Sequence, residues 1–251
     1  MPQLEDLLQQ CTVKITIPGQ SGWGTGFFVT PELILTCVHV TKKAEGQLVQ
    51  VQWQNQESWA QATVERALSD PYDLALLRVT VLVNLTPTCV YLDEEVKSRD
   101  PLYLFGYPDE GDIQGEPRTF NCDGITGSKI GSILFNLGQV RPGMSGSPLL
   151  NQRTGKVCGM VKFTRDRSID LGGGAIPTHV ILEQFPQLRE LQREFHQRDR
   201  RWQNLITTQS EVDFQPYLRS LLDSKDYRES ILRTIFEAEA ETRILPLYMT
   251  S

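Results

Sequence analysis

With 251 residues, 39% of them hydrophobic, the chain is long enough to bury a sizeable core in one two-lobed domain or two small ones. A formal net charge of −6 argues against a general nucleic-acid binder, and no apolar run reaches the length of a membrane span. The opening Met-Pro-Gln-Leu-Glu-Asp-Leu-Leu-Gln-Gln carries acids where a signal peptide needs positive charge. Five cysteines, at 11, 37, 89, 122 and 158, are odd in number and lack metal-ligand spacing. They are expected to be reduced and buried, the location cytoplasmic, and no metal or cofactor is expected.

Leu4, Leu7 and Leu8 predict a short amphipathic helix over residues 1–10. Short strand-like runs then alternate with Gly, Pro, Asn and Asp clusters. Strands are expected near 11–17, 24–29, 33–37, 47–54, 58–66 and 74–80, forming a first lobe over 11–80. A connection over 81–99 leads to a second lobe over 100–177, with strands near 101–107, 116–123, 131–136, 147–151, 157–164 and 174–176. The glycines at 22, 24 and 26 run from strand to strand, which favours a hairpin over a phosphate-cradling loop.

From 178 to 251 the pattern turns helical. Leu188, Leu191, Phe195, Trp202 and Leu205 predict one amphipathic helix over 187–205 with Pro186 near its start. Its five arginines are interleaved with Glu190, Glu194 and Asp199, as on a solvated helix face. A second helix is expected after Asp213, with Tyr227, Ile231, Leu232, Ile235 and Phe236 on one face. These helices either pack on the preceding lobes or bind a regulatory protein partner.

The chemistry concentrates at Arg-Pro-Gly-Met-Ser-Gly-Ser-Pro-Leu-Leu, residues 141–150, where Ser145 stands on a turn leading into an apolar strand. A serine hydroxyl needs a base and an orienting carboxylate to become a nucleophile. His39 closes the run Leu33-Ile34-Leu35-Thr36-Cys37-Val38-His39, and Asp73 opens Asp73-Leu74-Ala75-Leu76-Leu77-Arg78-Val79. Asp70, three residues earlier, is the competing carboxylate. His179 and His196 fall in the helical region and are expected at the solvent or an interface.

With the order His, Asp, Ser, and with Gly24-Thr25-Gly26-Phe27-Phe28-Val29, Leu104-Phe105-Gly106-Tyr107-Pro108, Val157-Cys158-Gly159-Met160-Val161 and Gly174-Ala175-Ile176-Pro177, the chain resembles the trypsin-like (chymotrypsin-fold) serine peptidases. Within them it is most similar to the bacterial HtrA-like and glutamyl-endopeptidase-like branch. The resemblance implies a mainly β fold: two antiparallel six-stranded β-barrels with the active site between them, followed by the helical extension. It implies a serine endopeptidase with His39, Asp73 and Ser145 as its triad and the N–H groups of Gly143 and Ser145 as its oxyanion hole. Gln139, Val140, Lys162, Phe163, Thr164, Gly172, Gly173 and Gly174 would line the specificity pocket.

Three departures refine that picture. Val40 follows the histidine where secreted relatives often carry a bridging cysteine. Met144 precedes the serine where zymogen-activated trypsins carry an aspartate that pairs with a new N-terminus. Gln139 stands where trypsins carry the counter-ion for Arg or Lys. An intracellular bacterial effector or regulatory protease acting on a protein or peptide is expected. The alternative is a catalytically silent scaffold on the same fold.

Overall fold

The structure is a computed structural model and describes residues 3–42, 44, 48–53, 60–80, 87–108, 114–127, 130–136, 139–164 and 172–210. The chain divides into two compact units, Met1–Ile206 and Thr207–Ser251. The expected second helix of the tail, with Tyr227 to Phe236, lies outside the described residues.

Helix α1 (Leu4–Cys11) opens the first unit, its Leu4, Leu7, Leu8 and Cys11 buried. Strands β1 (Thr12–Thr16), β2 (Trp23–Thr30) and β3 (Leu33–Thr36) follow, then a single turn of helix, α2 (Val38–Thr41), then β4 (Val49–Trp53), β5 (Ala60–Leu68) and β6 (Leu74–Val79). They close a barrel in the order β1-β2-β3-β6-β5-β4. The second barrel joins β7 (Pro101–Gly106), β8 (Glu116–Ile125), β9 (Ile133–Asn136), β10 (Pro148–Asn151), β11 (Lys156–Thr164) and β12 (Gly173–Pro177) in the order β10-β11-β12-β9-β8-β7. Every ladder within both barrels is antiparallel.

Strand side chains alternate between two faces, and here both faces are apolar. Phe28 and Ile34 point into the first barrel with Val13, Ile15, Val51 and Leu77, while their neighbours Phe27, Val29, Leu33 and Leu35 join another cluster. That cluster also takes Tyr103, Phe105, Leu150 and Met160 from the second barrel, so it welds the lobes together. Leu102, Leu104, Phe120, Phe135, Leu149 and Val161 fill the second barrel. A run such as Leu33-Ile34-Leu35 is therefore continuous in the sequence because one face fills a barrel and the other fills the seam. All five cysteines are buried and unbridged.

The helical region differs from the single helix expected over 187–205. Helix α3 (Thr178–Gln184) follows β12 directly, then α4 (Gln187–Arg198) and α5 (Arg201–Ser210). The break falls at Asp199, which is extended and whose carboxylate accepts from the N–H and guanidinium of Arg201, ending one helix and starting the next. The buried face of α4 is also not the expected leucine stripe. Leu191 is exposed, whereas Leu188, Gln192 and His196 are buried, so His196 is a core residue and not a solvent or interface one. Gln192 earns its burial by accepting from the N–H of Leu92 and donating to the carbonyls of Val29 and Val90.

Trp202 is fully buried, and its indole N–H donates to the Gly155 carbonyl at 2.7 Å. A Cβ placed on Gly155 would lie 2.8 Å from Ile206 and 3.0 Å from Leu4. The β10–β11 hairpin is thus gripped by α1 and α5 together.

Candidate active site

β3 ends at Thr36, and the chain turns into α2 before reaching His39, so the histidine sits on a helical turn and not at the strand's end. β3 pairs with β6 in the register Thr36↔Ala75, which places Asp73, just before β6, beside that turn. Asp73 adopts a left-handed backbone (φ 57°), a conformation that aspartate tolerates better than most residues. One carboxylate oxygen, Oδ2, lies 2.7 Å from Nδ1 of His39, and the other, Oδ1, accepts from the backbone N–H of His39 at 3.0 Å. The imidazole is therefore held by a buried, bidentate anchor while 47% of its side chain remains open to solvent. Burial alone would push the Asp73 carboxyl up. The His39 ring, the His39 N–H and the charge of Lys162 outweigh it, and the net effect is a lowered value, so the anchor is ionised.

Ser145 arrives from the second barrel on a turn built by two glycines. Gly143 (φ 86°) and Gly146 (φ 89°) both take the left-handed region. A Cβ on Gly146 would sit 1.9 Å from the Thr25 carbonyl, and one on Gly143 would sit 2.2 Å from the Trp23 indole nitrogen, so β2 of the first barrel presses directly on the turn. Thr25 fastens it: its N–H donates to the Ser145 carbonyl at 3.0 Å, and its hydroxyl donates to the Gly143 carbonyl at 2.8 Å while accepting from the Tyr107 N–H at 3.1 Å. Neither Thr25 nor Trp23 stood out by residue type, although Thr25 lies inside the Gly-Thr-Gly motif.

Within the turn the N–H groups of Met144, Gly146 and Ser147 are all spent on carbonyls. Among the described residues, the N–H groups of Gly143 and Ser145 donate to none. Met144 is fully buried in the second-barrel core. The Ser145 hydroxyl donates to the Lys162 carbonyl at 3.3 Å, and among the described residues it makes no bond to His39.

The residues expected around a specificity pocket fall into three groups. Gln139 bridges to Gly172, while Phe163 pairs with Gly174 and Thr164 with Gly173 on adjacent strands β11 and β12. Val140 is buried in the second-barrel core. The Lys162 ammonium, on an exposed edge, donates to the Pro71 carbonyl at 2.9 Å, in the loop that carries Asp73. A separate cavity of about 660 Å³ opens beside His39, bordered by Lys42, Val64, Ala67, Ser69 and Asp70. Asp70 is thus placed near the histidine without holding it.

A family model described as Trypsin-like peptidase domain matches residues 24–160, which contain the His39 turn, Asp73 and the serine turn. The chain belongs to this family. This trypsin-like peptidase domain is 28% identical over 153 residues to the mouse peroxisomal leader peptide-processing protease, a match covering 58% of the chain and 26% of the relative. It spans about a quarter of that relative's length. Among solved structures it superposes on Rv3671c from M. tuberculosis H37Rv in an inactive form (TM-score 0.58, 21% identity, covering 74% of this chain and 90% of the other). It also superposes on Deg5 (TM-score 0.59, 19% identity, 74% and 91%) and on the serine endoprotease from Yersinia pestis (TM-score 0.58, 18% identity, 75% and 67%). At these identities the superpositions establish the two-barrel fold.

Proposed function

We propose that the chain is a serine endopeptidase in which Ser145 attacks a peptide carbonyl, His39 takes its proton and Asp73 orients and stabilises the imidazolium. The observation that carries this reading is the Asp73 carboxylate gripping both the ring and the backbone N–H of His39, which fixes Nδ1 as the donor and leaves Nε2 as the base. As the hydroxyl leaves the Lys162 carbonyl and turns to Nε2, the tetrahedral oxyanion takes up the unspent N–H groups of Gly143 and Ser145. His39 then gives the proton to the leaving amine, and water repeats the cycle on the acyl-enzyme. Gln139, Phe163, Thr164 and the glycines at 172–174 frame the pocket for the residue before the cut bond. Lys162 contributes its carbonyl.

The finer reading is an intracellular bacterial effector or regulatory protease whose activity a protein partner controls through the C-terminal helices. Five buried, unbridged thiols support a reducing compartment. Among the described residues no helix is long and apolar enough to cross a membrane. The mouse relative's name supports a processing role on a peptide segment of a protein substrate.

A fluorophosphonate probe tests the central reading. Covalent labelling of the full chain, lost in Ser145→Ala at unchanged melting temperature, is the expected result. The resting Ser145–Lys162 bond favours a second reading, a silent scaffold, and absence of labelling with and without co-purifying partners would establish it. Removing residues 211–251 tests the tail: partner capture should be lost while turnover of a short peptide persists.

A further inference from the structure

Cys37 takes no part in the proposed reaction, yet it stands two residues before His39 and is fully buried. Its thiol donates to the Val161 carbonyl at 3.4 Å. Its Sγ, a ring nitrogen of His39 and a carboxylate oxygen of Asp73 all lie within 4.8 Å of one another. Burial and then the Asp73 charge push the thiol well above its ordinary value, so it rests as a neutral S–H. A thiolate, an imidazole and a carboxylate are the donor set that zinc-like cations select, and a bound cation would draw the proton off the thiol.

The spacing suits such an ion. Bond lengths of about 2.0 to 2.3 Å put the ligand atoms of a tetrahedral site about 3.3 to 3.8 Å apart. Here Nδ1 and the Asp73 oxygen are 2.7 Å apart, and the widest of the three separations stays within 4.8 Å. Opening the first and closing the others takes shifts of about 1 Å, and the half-exposed imidazole is the wall able to move.

We propose that Cys37, His39 and Asp73 form an inhibitory site for a thiolate-seeking divalent cation of the zinc or cadmium type. The reading rests on the triad described above. The cation bonds to Sγ, to Nδ1 and to one Asp73 oxygen, and water completes the tetrahedron. The thiol proton leaves to solvent, the proton on Nδ1 is replaced by one on Nε2, and no electrons are transferred. Nε2 then carries a hydrogen and has no lone pair with which to take the Ser145 proton. Inhibition arises from the wrong tautomer, with the substrate pocket left open.

Cobalt(II) is the probe for the site, added to the full chain carrying Ser145→Ala. A thiolate-to-cobalt charge-transfer band in the near ultraviolet is expected, with one proton released per cobalt and the band lost on adding Cys37→Ala or the size-matched Cys37→Ser. In the protein with Ser145 intact, zinc should suppress fluorophosphonate labelling reversibly with chelator. The zinc concentration for half suppression, measured against each variant's own metal-free rate, should rise at least about tenfold in the Cys37 variants. A cobalt spectrum without the thiolate band, or a band that survives both substitutions and so belongs to another thiol, overturns the site even if labelling succeeds. A Cys37-dependent band in a protein that never labels supports the site and instead sinks the triad reading.

Discussion

The ammonium of Lys162, on β11 of the second barrel, donates to the carbonyl of Pro71, in the loop of the first barrel that delivers Asp73. The carbonyl of the same lysine receives the Ser145 hydroxyl. One residue thus bonds to Ser145 and to the loop that carries Asp73, which come from different lobes. Replacing it with methionine keeps the carbonyl and the packing of the stem but removes the strap. Lys162→Met should lower kcat about fivefold, the equivalent of about 1 kcal/mol for one partly exposed charged hydrogen bond. KM for a short peptide should hold, and Lys162→Arg should recover part of the rate. The ammonium also helps keep the Asp73 carboxyl below its usual range. Stability supplied by ionised Asp73 is present above the unfolded value and lost as pH falls through the lowered folded value, so in Lys162→Met that contribution should be smaller and its loss complete at a higher pH. Unchanged kcat and an unchanged acid limb would reduce Lys162 to a surface lysine.

Asp73→Asn keeps the shape of the anchor but offers an amide where the imidazole N–H needs an acceptor. A fall in kcat on the order of 10⁴-fold is expected. Asp70→Asn borders the cavity beside His39 without contacting the ring, so it should alter KM for some peptides and leave kcat nearly as it was. Steady-state kinetics on a peptide series separates the two, and the reverse pattern would move the carboxylate role to Asp70.

Gly146→Ala tests how closely the barrels press on the serine turn. The added methyl would meet the Thr25 carbonyl at 1.9 Å in a conformation that already disfavours side chains. The Thr25 backbone and the Thr36 hydroxyl, 2.6 Å away, leave little room to relax, and a loss of at least about 3 kcal/mol in urea unfolding is expected, with labelling of Ser145 lost as well. A variant of native stability would mean that β2 gives way.

His196 should make the fold acid-sensitive. Its Nε2 donates to the Val90 carbonyl at 2.9 Å, and its ring stacks on Tyr91 with centroids 4.4 Å apart. Burial pushes the imidazole below its ordinary value, the Val90 bond opposing only in part. The unfolded chain then binds the extra proton first, so stability falls as pH drops through about 6.5 toward the folded value. Urea unfolding of the unaltered chain should lose stability between about pH 7.5 and 5.5, and His196→Gln should lack that component. Equal slopes for both proteins would show that His196 titrates freely.

The strands were legible because turn residues punctuate them, and the candidate site because a histidine, an aspartate and a serine follow in the order the resemblance implies, the serine on a glycine-flanked turn. What stayed hidden depends on contacts that spacing does not encode. Cys37 looked like one more apolar-strand cysteine, since the β3–β6 register that sets Asp73 beside its thiol is invisible in the spacing. The partner of Lys162 lies 91 residues away in sequence, so no local pattern points to it. Asp199-Arg200-Arg201 fits a continuous helical pattern equally well, and only the Asp199 cap on the Arg201 N–H decides for a break. Gln192 and His196 read as the polar side of α4, yet backbone carbonyls of Val29 and Val90, supplied by neighbouring segments, make that side the inner one.

The meeting of Leu4 and Ile206 over Gly155 also bears on how this unit can be rewired. Two residues at opposite extremes of the first unit end on the same hairpin, so a short linker joining α5 back to α1 would span little distance. New termini opened at an exposed loop should then give a rearranged chain with the same barrels. Cargo joined at Leu4 or at Ile206, the two extremes of the first unit, would be delivered to one spot, which makes that hairpin the natural place to anchor a reporter or a tether.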